Sequence, residues 1–315
     1  MPRGARRGKV IPFTLLKRQH SYQSHYETGR SFYSQGSFED AIRHLRRAAA
    51  LDRRDSNSRM HLGLAYAAKG DYESASTYFK KGVELNPKDA DGYYHLGMSL
   101  FYSSKIREAI QAWKKGAALE PDDLNFHLAL SESYFILGDI NRSKHHVELI
   151  LAEDSNHVEA LNLKGRILLQ EGESSAAIQV LQKAVKIDRS FAASYVNLGV
   201  VYIQSGFWDA AISFFKKANR LDPQNTEALV NLGHALWHKG EPHKAIEAFS
   251  QTVKLDPEDK EALYFMGVVY VELKLYKDGE RCLKQALLLD PNFSDAKREL
   301  EKIQSKIKNN LGGEK

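Results

Sequence analysis

Residues 192–225 read AASYVNLGVVYIQSGFWDAAISFFKKANRLDPQN, and residues 226–259 read TEALVNLGHALWHKGEPHKAIEAFSQTVKLDPED. Laid over one another, the two stretches share Asn197/Asn231, Leu198/Leu232, Gly199/Gly233, Gly206/Gly240, Ala211/Ala245, Phe215/Phe249 and Pro223/Pro257 at an offset of 34. In the first stretch Tyr195, Leu198, Gly199 and Tyr202 fall at i, i+3, i+4 and i+7, one face of a helix. Gly206 then breaks the chain, because glycine enters turn conformations at no steric cost. Ala211, Phe215 and Ala218 resume the helical spacing, and Asp222–Pro223 ends the unit. Proline suits the opening of a following helix but not a helix interior. Each unit therefore predicts two helices. Small residues at the Gly199 and Ala211 phases let them approach, and large ones such as Phe79, Trp113, Phe215 and Phe249 fill the space between.

The phase extends far beyond these two units. Glycine recurs at Gly29, Gly63, Gly97, Gly165, Gly199, Gly233 and Gly267, and only Ser131 interrupts the series. A second set follows at Gly36, Gly70, Gly138, Gly172, Gly206 and Gly240, and a third phase holds Pro87, Pro121, Pro223, Pro257 and Pro291. A constant period of 34 residues signals a stacked repeat array. The register runs without insertion through eight units: 22–55, 56–89, 90–123, 124–157, 158–191, 192–225, 226–259 and 260–293. After it, Ala296, Leu300, Ile303 and Ile307 make one apolar stripe in an otherwise charged segment, 294–315. That is the pattern of a solvating cap helix on a repeat array.

The pattern of an aromatic, then Leu-Gly, then Tyr, and later Ala, Phe and Pro resembles the tetratricopeptide repeat family. The resemblance covers 22–293 and implies an all-α, right-handed superhelical solenoid of eight helix-turn-helix repeats, with residues 294–315 as capping helix and short tail. It also implies a non-catalytic scaffold or adaptor whose concave groove binds a protein or peptide segment. The register is least regular in 124–157, where Ser131 and Ser143 replace small residues, Ile150 a third, and Ser155 the usual proline. Lys164 replaces the expected Leu in the next unit.

Composition narrows the chemistry. The chain has 315 residues, one cysteine, 43% hydrophobic residues and a formal net charge of +5. One cysteine excludes an intrachain disulfide framework and any multi-cysteine zinc site. No apolar run approaches the length of a membrane helix. Six basic residues and no acid lie in 1–21, and 22–293 holds 33 basic against 36 acidic residues, so the basic character belongs to the ends. A globally basic, nucleic-acid-binding body is disfavoured. No phosphate loop, His-Glu-x-x-His or Gly-x-Ser-x-Gly motif is present. His234 and His238 stand at i, i+4, but Ala235 follows His234 where a metalloprotease motif has Glu. Neither an enzyme activity, a cofactor nor a metal site is expected.

Binding is the remaining function. In this family the first helix of each pair lines the concave surface. The outward stripe includes Tyr94, Met98, Phe101, Phe135, Asn197, Asn231, His234, Trp237 and Phe265, our candidate groove residues. Seven acids (Glu27, Asp91, Glu132, Glu159, Glu227, Glu261 and Glu272) share it with Arg30 and Arg166, a balance that favours basic or apolar protein segments and disfavours nucleic acid. Asn197 and Asn231 occupy equivalent places, and an amide with both donor and acceptor can hold an extended backbone. The stretches Tyr195-Val-Asn197-Leu-Gly199 and Leu229-Val-Asn231-Leu-Gly233 resemble the repeats of O-linked N-acetylglucosamine transferases, where such asparagines bind peptide main chain; the glycosyltransferase domain itself is lacking. A chaperone-type carboxylate clamp is not matched, since Tyr26, Arg30, His61, Asp91 and His95 stand at its places.

Two alternatives stay open. The chain could be an assembly subunit that binds through its convex face or ends in a multiprotein complex, or its basic segment 1–21 could attach it to nucleic acid or a membrane surface. That segment reads as a flexible leader covering the first helix. The competing readings are an organellar targeting signal and an autoinhibitory tail entering the groove. A cytoplasmic location is expected otherwise. The irregular register of 124–165 predicts weak stacking there. Amide hydrogen exchange is accordingly expected to be faster in 124–165 than in 192–259, and equal protection of the two would overturn that expectation.

Overall fold

A computed structural model describes the backbone of residues 13–312 and the side chains of 17–306. The described residues form seventeen α-helices and no strand, and the chain divides into two compact units, 1–150 and 151–315. In the first, α1 (Phe13–Ser34) packs on α2 (Phe38–Leu51), α3 (Ser56–Ala68) on α4 (Tyr72–Leu85), and α5 (Ala90–Tyr102) on α6 (Ile106–Leu119). Next come α7 (Leu124–Ile136) and α8 (Ile140–Glu153), which runs across the division. In the second unit α9 (Val158–Gln170) packs on α10 (Ser174–Ile187), and α11 (Ala192–Gln204) on α12 (Trp208–Leu221). There, too, α13 (Thr226–His238) packs on α14 (Pro242–Leu255), and α15 (Lys260–Glu272) on α16 (Tyr276–Leu289). Finally α17 (Ser294–Gly312) places Ala296 and Ile303, both fully buried, against Leu263, Leu283 and Ala286. No described helix is long and apolar enough to cross a membrane.

Local chemistry sets the helix ends. Asp55, Asp71, Asp89, Asp123, Asn225 and Asp259 cap helices by accepting backbone N–H bonds, satisfying donors that have no partner inside the helix. Between the paired helices the chain turns through a left-handed residue. At Gly206, φ is +78°, and Phe207 N–H donates to Tyr202 C=O at 2.9 Å. The two units that lack this glycine put Ser104 (φ 60°) and Lys274 (φ 62°) in the same conformation, so the turn is imposed by the repeat as well as chosen by glycine. The prolines of the third phase lie in the tight turns between units. Pro223 follows Asp222, whose carbonyl accepts from Asn225 N–H at 3.2 Å, and α13 opens only at Thr226.

The pairs are closed by one recurring contact. Gly29 faces Leu45, Gly63 faces Phe79, Gly97 faces Trp113, Gly165 faces Leu181, Gly199 faces Phe215, Gly233 faces Phe249 and Gly267 faces Leu283. A Cβ at Gly97 would lie 2.2 Å from the Trp113 indole nitrogen, and one at Gly233 would lie 2.6 Å from the Phe249 ring. In the irregular unit Ser131 takes the glycine place. Its hydroxyl donates to the Ser143 carbonyl at 2.8 Å, and at the large-residue place the register puts Val147, smaller than any of the others.

Helix α1 begins at Phe13, nine residues before the first unit as read from the sequence, so the leader expected over 1–21 is partly helix. Nothing between Phe13 and Ser21 breaks a helix, and Arg18 Nε ties the added turns down by donating to the Leu51 carbonyl at 2.7 Å. The rest of the leader, 1–12, and with it the targeting and autoinhibition readings, lies outside the described residues, as does the side chain of Ile307.

Two histidine pairs recur at the same place three repeats apart: His25 with His44 (Nδ1 to Nδ1 3.3 Å) and His127 with His146 (3.0 Å). Burial, then the neighbouring His127, His145 and Lys114, lower the His146 pKa from 6.5 to about 4. The folded state thus keeps His146 neutral where the unfolded chain would take up a proton. Its contribution to stability is present above pH 6.5 and is lost as pH falls toward 4. Urea unfolding of wild type should show a falling midpoint across that window, and His146→Phe should flatten it; parallel curves would refute this account. A second expectation concerns the closure contact. Gly233→Ala should destabilise by about 1–3 kcal/mol through overpacking, and Phe249→Leu added to it should restore part of the loss. Unchanged thermal unfolding of Gly233→Ala would show that the contact can relax.

Candidate protein-binding surfaces

Successive first helices touch each other within each unit, α1 with α3, α3 with α5, α9 with α11 and α11 with α13. No second helix makes a comparable contact with the next. Helices that converge on one side and diverge on the other curve the stack, so the first helices lie on its inner side in each unit. Side chains one repeat and one residue apart meet there: Tyr26 with His61, Asn162 with Asn197, and Trp237 with Glu272.

In the first unit the candidate residues lie half-buried. Tyr94 meets Phe126 edge-on, 5.7 Å between centroids, and its carbonyl accepts from the Trp113 indole N–H at 3.1 Å. Met98 and Phe101 pack on the same cluster, with Phe101 tilted against Trp113 at 5.9 Å, and Phe135 is also half-buried. Much of this aromatic surface therefore joins neighbouring repeats to one another. The exposed apolar area sits beside it: Tyr102 is 55% exposed and Ile136 47%. Tyr102 stacks on Tyr72 at 4.8 Å. The sequence reading missed both, although the register carries the signal, since Ser34, Ala68, Gln170, Gln204, His238 and Glu272 occupy the equivalent places.

In the second unit Asn197 Nδ2 donates to Asn162 Oδ1 at 2.9 Å, so one of its two N–H donors is engaged inside the protein. Asn231 is half-buried and has no hydrogen bond from its amide among the described residues. His234 sits edge-on to Phe265 at 4.1 Å and to Phe249 at 5.4 Å. Burial, and then His238, hold its pKa below the ordinary histidine value. Burial also lowers His61 and His95 in the first unit. Burial thus disfavours the charged form of His61, His95 and His234, so these three rings do little to offset the exposed Asp91, Glu227 and Glu261. Trp237 donates its indole N–H to Glu272, and Trp208 stacks on His238 at 4.8 Å. Among the described residues no three His, Cys, Asp or Glu side chains gather to hold a metal.

The profile of the tetratricopeptide repeat matches residues 26–90, and a second TPR repeat profile matches 165–206. The chain carries tetratricopeptide repeats. A third profile, of subunit 3 of the anaphase-promoting complex or cyclosome, matches 204–286. Among solved structures, the APC/C hetero-tetramer Cut9–Hcn1 is similar with a TM-score of 0.67 at 18% identity, over 87% of this chain and 54% of that one. The chain thus spans about half the length of that structure's chain. A tetratricopeptide repeat protein from Parabacteroides merdae gives 0.62 at 15% identity, over 79% of this chain and 98% of that one. Yeast Tom70 gives 0.61 at 19% identity, over 84% and 58%. No curated protein matches the sequence. At these identities the likeness is one of fold. Repeats of this kind mediate protein–protein interaction and complex assembly.

Proposed function

We propose that the chain is an adaptor that holds an extended protein segment of basic or apolar character along the inner side of its first helices. The observation that carries this reading is Asn231. Its side chain is half-buried and keeps both donor and acceptor available, on the same helix as Glu227, His234 and Trp237. An amide so placed can bond a passing main chain irrespective of its side chains. Asn197 contributes less, because Asn162 already holds one of its two N–H donors. In the first unit Met98, Phe101, Phe135 and the exposed Tyr102 and Ile136 supply apolar contact area.

The reading as an assembly subunit has its own support in the match of 204–286 to a subunit of a multiprotein complex. One experiment separates the two. Wild type and Asn231→Ala/Trp237→Ala, shown by circular dichroism to be equally helical, are used to capture partners from lysate. Under the adaptor reading the variant loses partners that wild type retains, with affinity falling by about tenfold or more for such anchor residues. An unchanged set of partners would move binding away from this surface and favour the assembly-subunit reading.

A further inference from the structure

The second helices of the first unit carry a feature that the inner surface does not explain. Arg46–Arg47 on α2, Lys80–Lys81 on α4 and Lys114–Lys115 on α6 stand at one phase, 34 residues apart, and all six are exposed. None takes part in an ion pair among the described residues. Instead, Arg46 lies over the Tyr66 ring (5.6 Å), Lys81 over Tyr78 (5.4 Å), Lys114 over Tyr134 (5.8 Å) and Lys115 over Tyr93 (5.8 Å), contacts that leave each charge undiminished. The acids of these helices are mostly elsewhere. Glu39, Asp40, Glu73 and Glu108 occupy first turns, where Glu39 pairs with Lys69, Asp40 with Arg43 and Glu73 with Lys105. The result is a basic stripe crossing three helices.

A cavity opens beside this stripe. Because second helices diverge, α4 and α6 leave between them a slot of about 410 Å³, floored by Tyr93, Leu96 and Leu100 of α5 and walled by Val83 and Ala112. Lys80 lines it from α4 and Lys115 from α6, together with Glu84 and Glu108. Cations flank an apolar floor.

We propose that this outer face binds an acidic segment of a partner protein that carries one large apolar side chain. The apolar side chain enters the slot between α4 and α6, and carboxylates on either side of it meet the lysines and arginines of the stripe. Charge complementarity favours an acidic occupant. The slot favours polypeptide over nucleic acid, because Glu84 and Glu108 would repel a continuous phosphate backbone, whereas a polypeptide can set uncharged residues against them. Base stacking also lacks a platform, since the Tyr78 and Tyr93 rings each have a lysine over them. The surface differs from the inner one proposed above, so either can fail alone.

Fluorescence anisotropy of the full chain provides the test. The probe is a labelled peptide of Glu and Asp residues around a single Leu, compared with the same peptide carrying Ser for Leu and with a Gln/Asn counterpart. Single-stranded DNA and phosphatidylserine vesicles serve as phosphate probes. The protein variants are Lys80→Gln/Lys81→Gln/Lys114→Gln/Lys115→Gln and, as a control on α10, Lys183→Gln/Lys186→Gln. The Leu peptide should bind wild type in a salt-sensitive manner, at least about tenfold more weakly to the quadruple variant, and unchanged to the control. The Ser and Gln/Asn peptides should both bind more weakly than the Leu peptide. Equal binding of the Leu peptide to wild type and quadruple variant would overturn the proposal. So would equal binding of the Leu and Ser peptides, or binding of DNA or vesicles without binding of the acidic peptide.

Discussion

Seven of the helix pairs are closed by the approach of a residue without a side chain to a large side chain sixteen positions later, as at Gly97 with Trp113 and Gly233 with Phe249. A backbone can come that close to a ring only if no Cβ stands between them. The contact sets the distance between the two helices and fixes which face of each turns inward. Everything else in a repeat follows from that choice: Ala211 and Ala245 are wholly buried on the partner helix, and the residues one position off the glycine phase are left to face the next repeat or solvent. Where Ser131 replaces the glycine, the facing place shrinks to Val147 and the hydroxyl finds the Ser143 carbonyl. Size and hydrogen bonding are both compensated within one helix pair.

That constraint also explains why the two sides of the stack are different in kind. First helices touch their successors, so much of their aromatic surface becomes cement between repeats, as Tyr94 on Phe126 and His234 on Phe265 show. Second helices stand apart and keep long cationic side chains over tyrosine rings at the surface. The inner side therefore offers isolated polar groups and a few protruding apolar residues, and the outer side offers charge and a slot.

Burial governs the histidines in the same way. His61, His95, His146 and His234 all have pKa values below the ordinary one, with desolvation as the leading cause, because each lies between packed helices. Their rings serve as flat, neutral packing surfaces at physiological pH, and the acids of the inner side are not offset by them.

The period of 34, read from glycines, prolines and aromatics alone, determined the helix pairs, their ends and the core residues, because close packing allows few substitutions at a contact such as Gly199 with Phe215. The sequence also located the one irregular unit. It did not locate the start of α1, since residues Phe13 to Ser21 lie outside the 34-residue register and the bond from Arg18 to a carbonyl on another helix is a tertiary contact. Nor did it distinguish Asn197 from Asn231, identical in register: one faces Asn162 and the other faces none. Tyr102 and Ile136 were legible as deviations from the repeat, but their exposure was not. The slot between α4 and α6 belongs to tertiary structure entirely. Periodicity states which residues share a face, whereas the gap left between two helices depends on how the helices beneath them pack.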